Sequence, residues 1–166
     1  VTGDDIIAAL ALAPHPEGGH YRQVYAAADQ LPETGLPARY DGPRAAATAI
    51  YFLLRAGERS HLHRLRSDEI WHFYRGAPVC VHVISPDGVY RTHRLGPDLA
   101  AGERPQLVVP HGHWFAAEPL TETGYALVGN TVAPGFDFAD FELAEASALG
   151  QCFPDLAERI KPLCSH

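Results

Sequence analysis

From residue 47 onward the chain is interrupted at short intervals by residues that impose turns. Arg75-Gly76, S-P-D-G (85–88), L-G-P-D (95–98) and T-E-T-G (121–124) separate apolar or alternating runs. Those runs fall at about 69–75, 78–84, 89–95, 105–110, 113–118 and 124–132. Gly and Pro punctuation at this spacing suits strands rather than helices of ordinary length. Each strand must bury one face, so a series of them has to close on itself, which predicts a mainly β sandwich or barrel. Upstream, A-T-A-I-Y-F-L-L (47–54) predicts a buried strand, and the alternation in E-G-G-H-Y-R-Q-V-Y predicts another from Gly19 to Ala26. Residues 29–44, with three Pro and two Gly, predict a loop. The ends differ in character. Residues 4–12 predict a short helix capped by Thr2 with Asp5 three positions on, ended by Pro14 and Pro16. Helical segments are also expected at 141–149 and 154–161. No internal repeat or linker divides residues 1–166, so a single domain is expected.

Composition narrows the function classes. At 166 residues and 46% hydrophobic, the chain can build one sizeable core. No run of about 18 apolar residues exists, so no membrane helix is expected. The opening V-T-G-D-D-I-I lacks a basic stretch, so no secretory signal is expected. Thirteen basic against 20 acidic residues give a formal charge of -7, which argues against nucleic acid as a partner. Arg55, Arg59, Arg64, Arg66 and Arg75 gather locally, either as solvated strand ends or as the lining of a pocket for an anionic small molecule. The three cysteines, without a C-x-x-C, fit a reducing, cytoplasmic setting, with Cys80 as a core thiol.

The chemistry concentrates in S-H-L-H-R-L-R-S-D-E-I-W-H-F-Y-R-G, Ser60 to Gly76. On a regular strand His61 and His63 share a face, about 6–7 Å apart. Glu69 opens the next strand and can face back across the pair. Two His and one carboxylate are a common ligand set for a divalent metal ion such as Fe, Mn or Zn. A histidine beside a carboxylate is also a tuned general base without metal. His72 points to the opposite face on a regular strand, although a bulge near Asp68-Glu69 would exchange the faces.

The spacing G-x3-H-x-H-x5-E-x6-G, Gly57 to Gly76, resembles the first cupin motif. Its H-to-E gap is one residue longer than usual and its G-to-H gap shorter. P-H-G-H-W-F resembles the second motif through Pro110 and Gly112, but Phe115 stands where the third metal histidine belongs, and His113 lies two residues earlier. Four ordered segments sharpen the likeness: H-P-E-G-G-H-Y-R (15–22), the Ser60–Gly76 stretch, P-Q-L-V-V-P-H-G-H-W-F-A-A (105–117) and V-A-P-G-F-D-F-A-D-F-E-L-A (132–144). Together they resemble the family known as cupin 5, or domain of unknown function 985. The resemblance implies a double-stranded β-helix (jelly-roll) barrel with short terminal helices, commonly a homodimer. It also sets E-G-G near the barrel mouth with Glu17 as a pocket candidate, where the local reading is a simple turn.

Three readings of function follow. In the first, a small polar or anionic metabolite binds in the barrel and undergoes proton transfer, as in an isomerase, epimerase or lyase. His61 or His63 takes the proton and Glu69 orients the imidazole. By fold-level analogy, sugar-nucleotide epimerases of the cupin superfamily use a barrel histidine in this way. The second is a metal-dependent oxygenase with His61, His63 and Glu69 as ligands, and the third a non-catalytic binding protein. Candidate ligand contacts are Glu17, Tyr21, His72, Tyr74, Gln106, Trp114 and Phe115, with aromatic packing as the alternative for the ring-bearing residues. Pro134 to Phe138 is a candidate lid or dimer contact.

Overall fold

The computed structural model describes residues 1–165. In chain order the elements are α1 (Gly3–Leu10), β1 (Ala13–Pro14), β2 (His20–Ala26), β3 (Gln30–Leu31), β4 (Arg44–Ala45), β5 (Thr48–Arg55), β6 (Ser60–Arg64) and β7 (Asp68–Gly76). They continue with β8 (Val79–Ile84), β9 (Tyr90–Leu95), β10 (Gln106–Val109), β11 (Trp114–Pro119), β12 (Tyr125–Ala133), β13 (Glu142–Leu143), α2 (Ala146–Cys152) and α3 (Ala157–Ile160). Two antiparallel sheets, ordered β1-β2-β5-β12-β7-β10 and β13-β6-β11-β8-β9, form the jelly-roll barrel; β3 and β4 pair separately.

Strand alternation builds three apolar layers. Inward-facing Phe52, Leu54, Trp71, Val81, Val109, Phe115 and Val128 fill the barrel. The outer face of the five-stranded sheet contributes Leu62, Ile84, Trp114 and Ala116, which pack under Leu149, Ile160 and Leu163 of the C-terminal helical segment. On the other sheet, Leu53 and Tyr125 are covered by Ile6 of α1 and by Leu12. Residues 50–54 are apolar on both sides because both sides of β5 are covered, Leu53 outside and Phe52 and Leu54 inside. No helix among the described residues is long and apolar enough to cross a membrane.

The terminal segments depart from their local patterns. Thr2 and Asp5 do form a reciprocal cap on α1, which ends at Leu10 with Ala11 in the left-handed conformation. The helix expected at 141–149 starts only at Ala146, because Glu142 and Leu143 pair with β6 and Glu145 caps the helix through the Ser147 and Ala148 amides. The last helix is cut to Ala157–Ile160 between 3-10 turns that carry Pro154 and Pro162.

One buried ion pair ties the loop before β5 to the segment after β12. Arg44 donates through Nε and Nη2 to the Asp140 carboxylate at 2.8 and 2.6 Å, and both residues are 5% exposed. Removing one partner leaves a desolvated charge, which costs about 3–5 kcal/mol. Asp140→Ala should lower the unfolding free energy by that order in urea denaturation, and a loss below about 1 kcal/mol would mean that Asp41, which also pairs with Arg44, suffices.

Candidate functional site

The site begins at the E-G-G turn. Gly18 and Gly19 have φ values of +106° and +72°, and a Cβ on Gly18 would lie 2.1 Å from the Arg59 carbonyl oxygen. Only glycine lets this turn press onto the start of β6. There the His61 amide donates to the Glu17 carbonyl at 2.7 Å. The Glu17 side chain enters the barrel, where Ser60 Oγ donates to its Oε1 at 2.8 Å.

A bulge in β6 completes the arrangement. Ala117 is opposite Ser60 and Phe115 opposite His63, so three residues on β6 span two on β11. The extra residue brings Ser60 and His63, rather than His61 and His63, to the same carboxyl. His63 Nε2 is 3.2 Å from Glu17 Oε2, and its Nδ1–H donates to the His61 carbonyl at 2.7 Å. That bond leaves Nε2 with its lone pair toward the carboxyl. His15 lies on the other side: its Nδ1 accepts the Glu17 amide at 3.1 Å and is 3.5 Å from Oε2.

The facing wall comes from β7 and β12. Glu69 is opposite Val132, and Asn130 is opposite Trp71. Asn130 Nδ2 donates to Glu69 Oε1 at 2.7 Å. Between the walls is a cavity of about 30 Å³, room for about two water-sized groups as the side chains stand. Its polar lining is His15, Glu17, His63, Glu69 and Asn130, with Tyr21 and Thr48, and its apolar lining is Ile50, Leu65, Val132 and Phe136.

Burial sets the charge state. Desolvation pushes the Glu17 carboxyl up to about 8, opposed by the Ser60 hydrogen bond. Glu69 is raised well above the ordinary range by burial and then by Glu17, against the Asn130 hydrogen bond. His63 is lowered to about 4 by burial, and His15 to about 4 by burial and by His63. At neutral pH the close Glu17–His63 contact is therefore a carboxylic acid facing a neutral imidazole rather than an ion pair.

The structure divides the sequence candidates. His63, Glu69, Glu17 and Tyr21 line the cavity. Phe115 is 1% exposed and packs its ring 4.1 Å from that of His63. His61 turns its Nδ1 to the Glu17 carbonyl at 2.8 Å and does not join the lining. His72, Tyr74 and Gln106 belong to the outer face of the six-stranded sheet, where His72 Nε2 is 3.1 Å from Thr131 Oγ1. Trp114 lies under the C-terminal helices with Arg64 over its ring. Four site residues escaped the sequence reading: His15, Thr48, Ser60 and Asn130. Asn130 had a signal, an amide at an inward position of an otherwise apolar strand. Ser60 had none, because the bulge alone brings it inward.

A divalent ion does not fit the expected ligand set. His61 does not join the cavity lining, Phe115 occupies the place beside His63, and among the described residues no group of three or more His, Cys, Asp or Glu side chains is arranged to hold a metal ion.

The raised carboxyl has a measurable consequence. Glu17 keeps its proton in the folded chain up to about 8, whereas the unfolded chain loses it near 4.5. Its contribution to stability is complete below the lower value and is lost as pH rises through the upper one. His15 and His63 act oppositely: folded values near 4 against an ordinary 6.5 make stability rise with pH between those limits. Glu17→Gln removes only the first effect. Its melting temperature should gain on the wild type steadily between about pH 5 and pH 8; a constant difference would count against a protonated Glu17.

Comparison with known proteins agrees with this architecture. The profile of Cupin_5, described as Cupin superfamily (DUF985), matches residues 4–144. A hypothetical protein from Leishmania major is 36% identical, with a TM-score of 0.89 over 100% of both chains. Protein SO0799 from Shewanella oneidensis is 42% identical, with a TM-score of 0.87 over 99% of this chain and 98% of that one. The uncharacterized protein YML079W of Saccharomyces cerevisiae is 28% identical over 138 residues, 78% of this chain and 68% of its own. With its profile match, its two sheets and its full-length structural relatives, the chain belongs to the Cupin_5 (DUF985) family of the cupin superfamily.

Proposed function

We propose that the chain binds a small polar metabolite in the barrel cavity and catalyses proton transfer on it. The observation that carries this reading is the buried Glu17–His63 pair, 3.2 Å apart, with the imidazole tautomer tied by the His61 carbonyl. Glu17, at about 8, is an acid poised near neutral pH. His63 alone is a weak base, because burial disfavours the imidazolium. The two act together. As Glu17 gives its proton to a ligand carbonyl oxygen, the carboxylate left behind favours protonation of His63 Nε2. Nε2 can then accept a proton from the adjacent ligand carbon. One proton leaves carbon, one arrives on oxygen, and the charge within the cavity sums to zero throughout. The orienting role first assigned to Glu69 falls to Glu17, the carboxyl nearest Nε2, and Glu69 becomes a ligand contact held by Asn130.

The test uses hydroxyacetone, a small enolisable carbonyl compound, in D2O. Wild-type protein should accelerate exchange of its carbon-bound hydrogens, read by NMR. Glu17→Gln and His63→Ala should lower that rate by about 10²–10⁴-fold while keeping a cooperative melt. An unchanged rate in His63→Ala would sink the assignment, and binding without exchange would favour a non-catalytic binding protein.

We also propose a homodimer through the outer face of the six-stranded sheet. One row of that face holds Tyr25, Ala49, Thr131, Ile70 and Val108, and the next holds Arg22, Tyr51, Gly129, His72 and Gln106. Neither row contains a carboxylate, although the chain carries a net charge of -7. Two copies can therefore approach there without the repulsion that the rest of the surface imposes. Val108→Glu, at a position 51% exposed, should shift the protein to monomer in sedimentation at micromolar concentration. A wild type that sediments as a monomer would remove this proposal.

A further inference from the structure

Asn130 has an unfinished set of hydrogen bonds. It is 3% exposed, and its Nδ2 is taken by Glu69. Its Oδ1 is buried and has no partner among the described residues. Buried side-chain oxygens in folded proteins are nearly always paired, so this one calls for a partner. The residue lines the cavity, and the missing partner has to donate an N–H or O–H group.

The same walls limit the charge of that partner. No Lys or Arg lines the cavity. Arg44, buried nearby in sequence to β5, is committed to Asp140 and Asp41. An anion would enter an apolar-walled site that already holds two carboxyl groups and offers no counter-charge. A cation would have to draw a proton from Glu17 or Glu69, buried carboxyls whose neighbours are all neutral, Ser60 and His63 for one and Asn130 for the other.

We infer that the cavity takes an uncharged small molecule, or the uncharged end of a larger one, that donates a hydrogen bond to Asn130 Oδ1. Amides and hydroxyl compounds have this chemistry; carboxylates, phosphates and ammonium ions do not. The inference rests on the proposed binding role of the cavity and is independent of the proton-transfer step.

Acetamide, acetate and acetamidinium share one planar skeleton and differ in charge, which makes them the probes of choice. Each is titrated into the full isotope-labelled chain at neutral pH, with the cavity backbone amides and the Asn130 side-chain amide followed by NMR. Acetamide should bind with a Kd at least about tenfold below those of the two ions. Asn130→Leu should weaken acetamide by about tenfold in a chain that keeps its circular dichroism. If that variant does not fold, the wild-type series decides alone. Equal or tighter binding of acetate or acetamidinium overturns the inference, as does a failure of all three to bind or an unchanged acetamide affinity in Asn130→Leu. Acetamide binding without hydroxyacetone exchange would overturn the proton-transfer reading and leave this inference standing. Exchange with a preference for acetate would do the reverse.

Discussion

Glu17 is held in the barrel by contacts that a regular strand pair would not supply. The turn that carries it reaches β6 only because Gly18 has no Cβ to strike the Arg59 carbonyl. The bulge in β6 then brings Ser60 and His63 to the two oxygens of the same carboxyl. Without the close turn, the carboxyl would not reach the lumen. Without the bulge, the residue two before His63 would share its face, and that residue is His61. The pair at the centre of the site thus depends on two backbone irregularities acting together.

The same arrangement explains how two acids and two imidazoles remain in an apolar barrel. Charged, they would bear a heavy desolvation cost. Each instead has neutral neighbours: Glu17 has Ser60 and His63, Glu69 has Asn130, His63 has the His61 carbonyl, and His15 has the Glu17 amide. Burial pushes the acids up and the imidazoles down, so both shifts favour the uncharged state. Such a site holds acids and imidazoles side by side near neutral pH without holding charge. Its cost appears in the pH dependence of stability rather than as an exposed surface. The third-position Phe115 belongs to this design, since its ring packs on His63 and keeps that side of the imidazole dry.

The aromatic segment after β12 closes the arrangement on one side. Phe138 and Phe141 flank His15, whose ring lies 4.5 Å from that of Tyr21, and Phe136 packs against both phenylalanines. The Phe136 amide is anchored on Thr48, and Asp140 on Arg44. Residues distant in sequence therefore hold one edge of the cavity through a hydrogen bond and a buried ion pair.

Much of the fold was legible in the chain itself. Turn-forming Gly and Pro residues marked the strand limits, and the apolar run around Phe52 marked a strand covered on both sides. The four ordered motifs pointed to the barrel; His63 and Glu69 were visible as candidates because an imidazole and an acid stood out among strand residues, and Glu17 only through the family resemblance, its local pattern being that of a turn. What the sequence could not supply was the side of the strand. A one-residue bulge moves no residue along the chain but exchanges the faces beyond it, and its position depends on pairing with β11, more than 50 residues away. The tertiary structure therefore decided that Ser60 rather than His61 meets Glu17. It also decided that Trp114, His72 and Gln106 lie outside the barrel and that Asn130 offers a free acceptor within it. Local pattern determines which residues can be strand and which can turn; only the packed sheets determine which side chains share a cavity.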